Sequence, residues 1–178
     1  VVVRKTRDPA SDIQPAISPD GKLLAFASNR NGNWDIWVTE VNRHVNPRQI
    51  TLDGRNSIQP SWSRDGKKIV YVAFNPVAKQ WEIWTKSLET EEVTNLGPGQ
   101  FPKFSRPQGD FLVFQKHRNR DVPWFSIWTM NTKGDQLTEI IQNSKWAAIT
   151  PDWSPDGKKI VFASIHKSLV ADQENRMY

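Results

Sequence analysis

Gln14-Pro15-Ala16-Ile17-Ser18-Pro19-Asp20-Gly21 returns three more times along the chain. The copies are Gln59-Pro60-Ser61-Trp62-Ser63-Arg64-Asp65-Gly66, Phe101-Pro102-Lys103-Phe104-Ser105-Arg106-Pro107-Gln108-Gly109 and Thr150-Pro151-Asp152-Trp153-Ser154-Pro155-Asp156-Gly157. Successive leading prolines lie 45, 42 and 49 residues apart. In Ser18-Pro19-Asp20-Gly21 the proline presets φ at the second turn position, aspartate suits the third, and glycine accepts the left-handed conformation that returns the chain. Each copy therefore reads as a hairpin turn, with Gly21, Gly66, Gly109 and Gly157 as structural pivots. The third copy adds a residue to the turn.

After each glycine an apolar strand follows, with matched positions Leu24 and Phe26, Ile69 and Tyr71, Leu112 and Phe114, and Ile160 and Phe162. The spacing of two puts each pair on one face. A third strand carries aromatic-x-Ile-Trp at Trp34-Asp35-Ile36-Trp37, Trp81-Glu82-Ile83-Trp84 and Phe125-Ser126-Ile127-Trp128. Alternation puts Trp34 with Ile36 on one face and Trp37 on the other, so both faces need cover. A fourth strand is clearest at Arg48-Gln49-Ile50-Thr51. Short strands at a period of about 40–50 residues indicate propeller blades. The expected fold class is all-β, a partial or four-bladed β-propeller of four-stranded antiparallel blades of 42–49 residues. The expected division is an outer strand of a shared or preceding blade at 1–7, then blades at 8–52, 53–94 and 95–143, and an incomplete fourth blade at 144–178. Segments 144–178 and 1–7 together match the shortest repeat in length, which leaves a closed four-bladed ring open as a third arrangement. The missing aromatic-x-Ile-Trp in the last repeat argues for a partial ring, whose uncovered edge is expected to be met by further sequence, a second copy or a partner subunit.

Pro-x-aromatic-Ser-Pro-Asp-Gly-Lys, followed by Ser28-Asn29-Arg30-Asn31-Gly32, Asp35-Ile36-Trp37 and Ile50-Thr51, resembles the WD-like repeat of TolB-type propellers. The same repeat is found in the tricorn and prolyl oligopeptidase propellers. The resemblance implies a periplasmic or otherwise extracytoplasmic propeller that docks onto an outer-membrane lipoprotein and other proteins. It also implies an Arg30–Asp35 contact in the first repeat. The peptidase propellers imply the alternative, a propeller gating a prolyl-oligopeptidase-like serine hydrolase domain.

The 178 residues carry 24 Lys+Arg against 19 Asp+Glu and no cysteine, which excludes disulfide frameworks, thiolate metal sites and cysteine nucleophiles. No apolar run approaches the roughly 18 residues of a membrane span. His44, His117 and His166 stand apart from one another and from ligand-spaced carboxylates, so no metal site is expected. The chain lacks a Gly-x-Ser-x-Gly elbow, a phosphate-binding Gly-x-x-x-x-Gly-Lys and a calcium loop, so no catalytic, cofactor-binding or metal residue is assigned.

Nine tryptophans invite a stacking platform for bases or sugars. Recurrence in register instead makes Trp34, Trp37, Trp62, Trp81, Trp84, Phe125, Trp128 and Trp153 structural, cementing blade to blade. Trp124 and Trp146 fall off the pattern, and Trp124, expected in a loop after Pro123, is the candidate exposed anchor. Lys22, Lys67, Lys68, Lys158 and Lys159 follow the hairpin glycines and are expected along one rim. Lys116, Arg118 and Arg120 are expected in a long loop of the third repeat. These form the candidate interaction set, serving protein partners, with only weak, salt-dependent binding to polyanions and no specific nucleic-acid binding expected. The sequence thus points to a non-enzymatic docking scaffold, a peripheral subunit of a larger membrane-associated assembly with no transmembrane segment of its own.

Overall fold

The computed structural model describes residues 4–6, 8–43, 45–106, 109–119, 122–141 and 146–166. The chain divides into two compact units, Val1–Pro98 and Gly99–Tyr178.

In the first unit β1 (Asp12–Ile17), β2 (Leu23–Ser28), β3 (Asp35–Glu40) and β4 (Arg48–Gln49) form one antiparallel sheet in chain order. A second sheet follows the same order through β5 (Ser57–Trp62), β6 (Lys68–Asn75), β7 (Gln80–Ser87) and β8 (Val93–Pro98). The two sheets bury a shared core. Ala25, Ala27, Ile36 and Val38 of the first meet Trp62, Ile69, Tyr71 and Ala73 of the second, and Trp34 and Trp84 pack at the margin. Small alanines on β2 make room for the indole of Trp62, whose Nε1 donates to the Ala16 carbonyl at 2.9 Å.

The second unit repeats the plan with β9 (Gln100–Phe104), β10 (Phe111–Asn119), β11 (Val122–Asn131) and β12 (Thr138–Glu139). Strands β13 (Trp146–Trp153) and β14 (Ile160–His166) pair as a two-stranded sheet. Here Val113, Ile127 and Ala148 form the core, with Trp153, Ile160 and Phe162 packed against it. Trp153 thus fills in the second unit the place that Trp62 fills in the first. Among the described residues Arg4–Thr6 form no strand, and residues 1–3 and 7 lie outside them.

The hairpin turns are built by one hydrogen-bond pattern. Ser63 Oγ donates to Asp65 Oδ1 at 2.6 Å and accepts from Lys68 N at 2.9 Å, while Lys67 N donates to Asp65 Oδ1 at 3.0 Å. Ser18 with Asp20 and Ser154 with Asp156 repeat it. The pivot Gly66 takes φ +70°, as its turn position requires. The Ser63 hydroxyl, then the Lys67 N–H, hold the Asp65 carboxyl below its ordinary range. Asp65 therefore contributes stability that is present above the ordinary aspartate value and is lost as pH falls through its lower folded value. Ser63→Ala is expected to cost about 1 kcal/mol at neutral pH. It should also flatten the acid limb of a urea-melt series, because the carboxyl then titrates nearer its unfolded value.

Each first strand carries a feature that the sequence rules do not anticipate. Gln14, Gln59, Phe101 and Thr150, the residues before the leading prolines, have φ of 53°, 59°, 53° and 51°. A residue before proline is ordinarily extended. The pairing register shifts at this point in all four repeats, between Ile13 and Ala16, Ile58 and Ser61, Gln100 and Lys103, and Ile149 and Asp152. These bulges aim backbone N–H groups sideways. Gln59 N donates to the Gln14 amide oxygen at 2.9 Å, and Thr150 N donates to that of Gln115 at 2.8 Å.

Candidate functional site

The acidic position of aromatic-x-Ile-Trp holds the outer strand in place. Asp35, 3% exposed, accepts from Thr51 Oγ1 at 2.7 Å and from Gln49 Nε2 at 3.0 Å, while Thr51 Oγ1 also accepts from Ile36 N at 2.9 Å. Burial, aided by the charge of Asp53, pushes the Asp35 carboxyl above its ordinary value despite those two donors. Glu82 occupies the same position in the second repeat. Its Oε1 accepts from Asn75 at 2.8 Å and Gln80 at 3.3 Å, and its Oε2 accepts from Asn95 at 2.9 Å. Burial pushes this carboxyl up, but the three amides and the Arg55 charge bring it below the usual range. In the third repeat Ser126 Oγ donates to the Ile141 carbonyl at 2.6 Å. These clasps tie third strand to fourth.

The Ile-Trp tryptophans lie beneath cations. Arg30 sits 4.7 Å from the Trp37 ring centre, Arg55 4.5 Å from Trp84, and Lys116 5.2 Å from Trp128. The indole N–H groups of these three tryptophans are buried without an acceptor, so packing outweighs hydrogen bonding at this repeat position. Arg30 does not reach Asp35. It donates to Asp12 Oδ1 at 3.1 Å and to Ser28 Oγ at 3.0 Å, and also covers Phe26. Asp12, Ser28 and Asp35 stand opposite one another across three strands, and Arg30 turns to the Asp12 side because Asp35 is engaged by β4.

A cleft of about 370 Å³ opens over Arg55, Asn75, Val77, Glu82, Trp84 and Asn95. The Asn75 and Asn95 amide nitrogens are spent on Glu82, and Arg55 contacts Asp53 at 3.5 Å. The polar groups of this cleft serve the fold. The Asp35 and Glu82 clusters went unread in the sequence, although acids at matching positions of Trp34-Asp35 and Trp81-Glu82 were the available signal.

A family model described as the TolB beta propeller domain matches residues 1–99 and, in a second placement, 44–168. The chain belongs to the TolB β-propeller family. The Tol-Pal system protein TolB of Francisella tularensis subsp. mediasiatica (strain FSC147) is 32% identical over 164 residues, covering 91% of this chain and 37% of that protein. A solved TolB-like structure from Agrobacterium tumefaciens has a TM-score of 0.76 at 26% identity, over 86% of this chain and 54% of that one. TolB from Acinetobacter baumannii has the same fold, with a TM-score of 0.75 at 22% identity over 89% and 39% of the two chains. This chain therefore spans about 37% of the length of the curated relative and about half of the Agrobacterium structure.

Within this TolB-family chain the candidate interaction residues are placed unevenly. Lys22 and Lys67 are exposed on the turns of the first unit, Lys22 3.7 Å from Asp20 and Lys67 2.9 Å from Glu89. Lys68, Lys158 and Lys159 are also exposed after their turn glycines. Lys116 and Arg118 lie in strand β10 rather than a loop, because the β10–β11 hairpin extends through the segment. Arg118 pairs with Glu139 at 2.6 Å and donates to the Ile141 carbonyl at 2.9 Å, so it fastens β12 within the blade. Arg120 lies outside the described residues. Trp124 likewise stands in β11, half-buried, where the paired hairpin carries it out of the expected loop. Trp146, 42% exposed, is the more open indole and lies edge-on to His166 at 4.9 Å. Of the aromatic residues expected to be structural, Trp37 and Trp62 are buried, and Trp34, Trp81, Trp84, Trp128, Trp153 and Phe125 are half-buried.

Proposed function

We propose that this chain is a non-enzymatic docking module of TolB type, working outside the cytoplasm as a peripheral part of a membrane-associated assembly. The observation that carries this reading is the use made of the polar groups. Asp35, Glu82, Arg30 and Arg118 are each committed to hydrogen bonds or ion pairs within their own blades, which leaves rims and loop tips as the surface on offer. Kinship with a protein named for the Tol-Pal system supports a protein partner in such an assembly. No described helix is long and apolar enough to cross a membrane.

A titration calorimeter loaded with the chain and the soluble domain of the lipoprotein from the same Tol-Pal system tests the proposal. Saturable one-to-one binding at micromolar affinity or tighter, about −8 kcal/mol, is the expected result. No heat at those concentrations would contradict it. A Pseudoxanthomonas mexicana dipeptidyl aminopeptidase BIII, 22% identical over 71% of this chain but only 19% of its own length, supports the gating-propeller reading more weakly. A hydrolase domain in the same open reading frame would favour that alternative.

A further inference from the structure

Asn31-Gly32 is the one asparagine–glycine pair in the sequence, and both residues are exposed in the turn between β2 and β3. An asparagine side chain is attacked most readily by the backbone nitrogen of a following glycine, where no Cβ crowds the approach. Gly32 has φ +94°, with nothing within 4 Å of where a Cβ would stand. Its N–H donates to the Asn29 carbonyl at 3.0 Å, a single exposed turn bond that must open first.

The side chain at this position is also the outermost member of a relay. Asn31 Nδ2 donates to Gln49 Oε1 at 2.8 Å, Gln49 Nε2 donates to Asp35 Oδ2, and Thr51 Oγ1 donates to Asp35 Oδ1. Each donor has one acceptor, so the direction of the Gln49 amide is set by a donor on one side and a carboxylate on the other. Strand β4 has only two residues, Arg48 and Gln49, and this relay reinforces its short ladder to β3.

We propose that Asn31 is a self-modification site whose deamidation loosens the outer strand of the first blade. The Gly32 nitrogen loses its proton to solvent base and attacks Asn31 Cγ. The new C–N bond closes a five-membered imide, and the side-chain nitrogen leaves as ammonia after taking up a proton. Water then opens the ring at either carbonyl, giving an aspartyl or isoaspartyl residue at position 31. The net change is amide plus water to acid plus ammonia, with no oxidant or reductant. A carboxylate now faces Gln49 Oε1, and turning the Gln49 amide to satisfy it sets that oxygen against Asp35. One amide cannot donate to both carboxylates in this geometry, so β4 loses part of its hold.

The test incubates the folded chain at mildly alkaline pH and maps its peptides by mass spectrometry. Conversion at Asn31 should outpace conversion at the exposed Asn42, which is followed by arginine, by at least severalfold. Equal rates at the two positions would overturn the proposed site. For the consequence, hydrogen exchange is read at Ile50 N, which donates to Ile36 O at 2.7 Å as β4 ends. Asn31→Asp should speed that exchange severalfold relative to Asn31→Gln, which keeps an amide donor. Equal protection in the two variants would overturn the unlatching.

Discussion

Trp62→Ala is expected to lower the unfolding free energy by about 3–5 kcal/mol, the range for removing a large aromatic side chain from a packed core. The indole is 7% exposed, lies among residues of both sheets of the first unit, and loses its bond to the Ala16 carbonyl when truncated. The matching substitution at the same repeat position, Ile17→Ala, should cost no more than about 0.5 kcal/mol, because Ile17 is 62% exposed. Urea melts of the two variants against the parent chain read the contrast. Equal losses would mean that repeat register, rather than local burial, sets the contribution of this position.

Thr51→Val should destabilise by about 2–3 kcal/mol at neutral pH, the scale of a hydrogen bond to a charged group. The isosteric change leaves packing intact but removes the hydroxyl that donates to Asp35 and accepts from Ile36 N. The pH dependence has a definite sign. Asp35 already has a raised folded value, so stability falls as pH rises from the ordinary aspartate value of 3.8 through that higher one. Without Thr51 the folded value rises further, and the window widens. The gap between variant and parent should therefore shrink below that window, where Asp35 is neutral in both states. A gap that stays constant from acid to neutral pH would show that the buried carboxylate is not what Thr51 serves.

Much of the blade architecture was legible because its signals are local and repeated. Proline, aspartate and glycine at fixed turn positions, and aromatic residues at strand spacing, lead to the same strands that the structure forms. Trp62 and Trp153, two of the tryptophans expected to cement blade to blade, each pack onto the preceding sheet. What escaped was set by pairing across strands. Arg30 chose Asp12 over Asp35 through sheet register, which sequence separation does not report. Lys116, Arg118 and Trp124 were expected in a loop because charge and proline obscure the strand pattern there, whereas cross-strand pairing continues to Asn119 and Val122. The left-handed residues before the prolines run against the local rule, since the bulge satisfies neighbouring backbone groups.

The most direct test of blades locked together by register-placed tryptophans is indole hydrogen exchange in a sample carrying nitrogen-15 in its tryptophans, with Trp62→Ala used to assign one signal. The Trp62 N–H, bonded to Ala16 across two sheets, should exchange only when the first unit opens globally, while that of the exposed Trp146 exchanges at once. Loss of the Trp62 signal as fast as that of Trp146 would contradict the account.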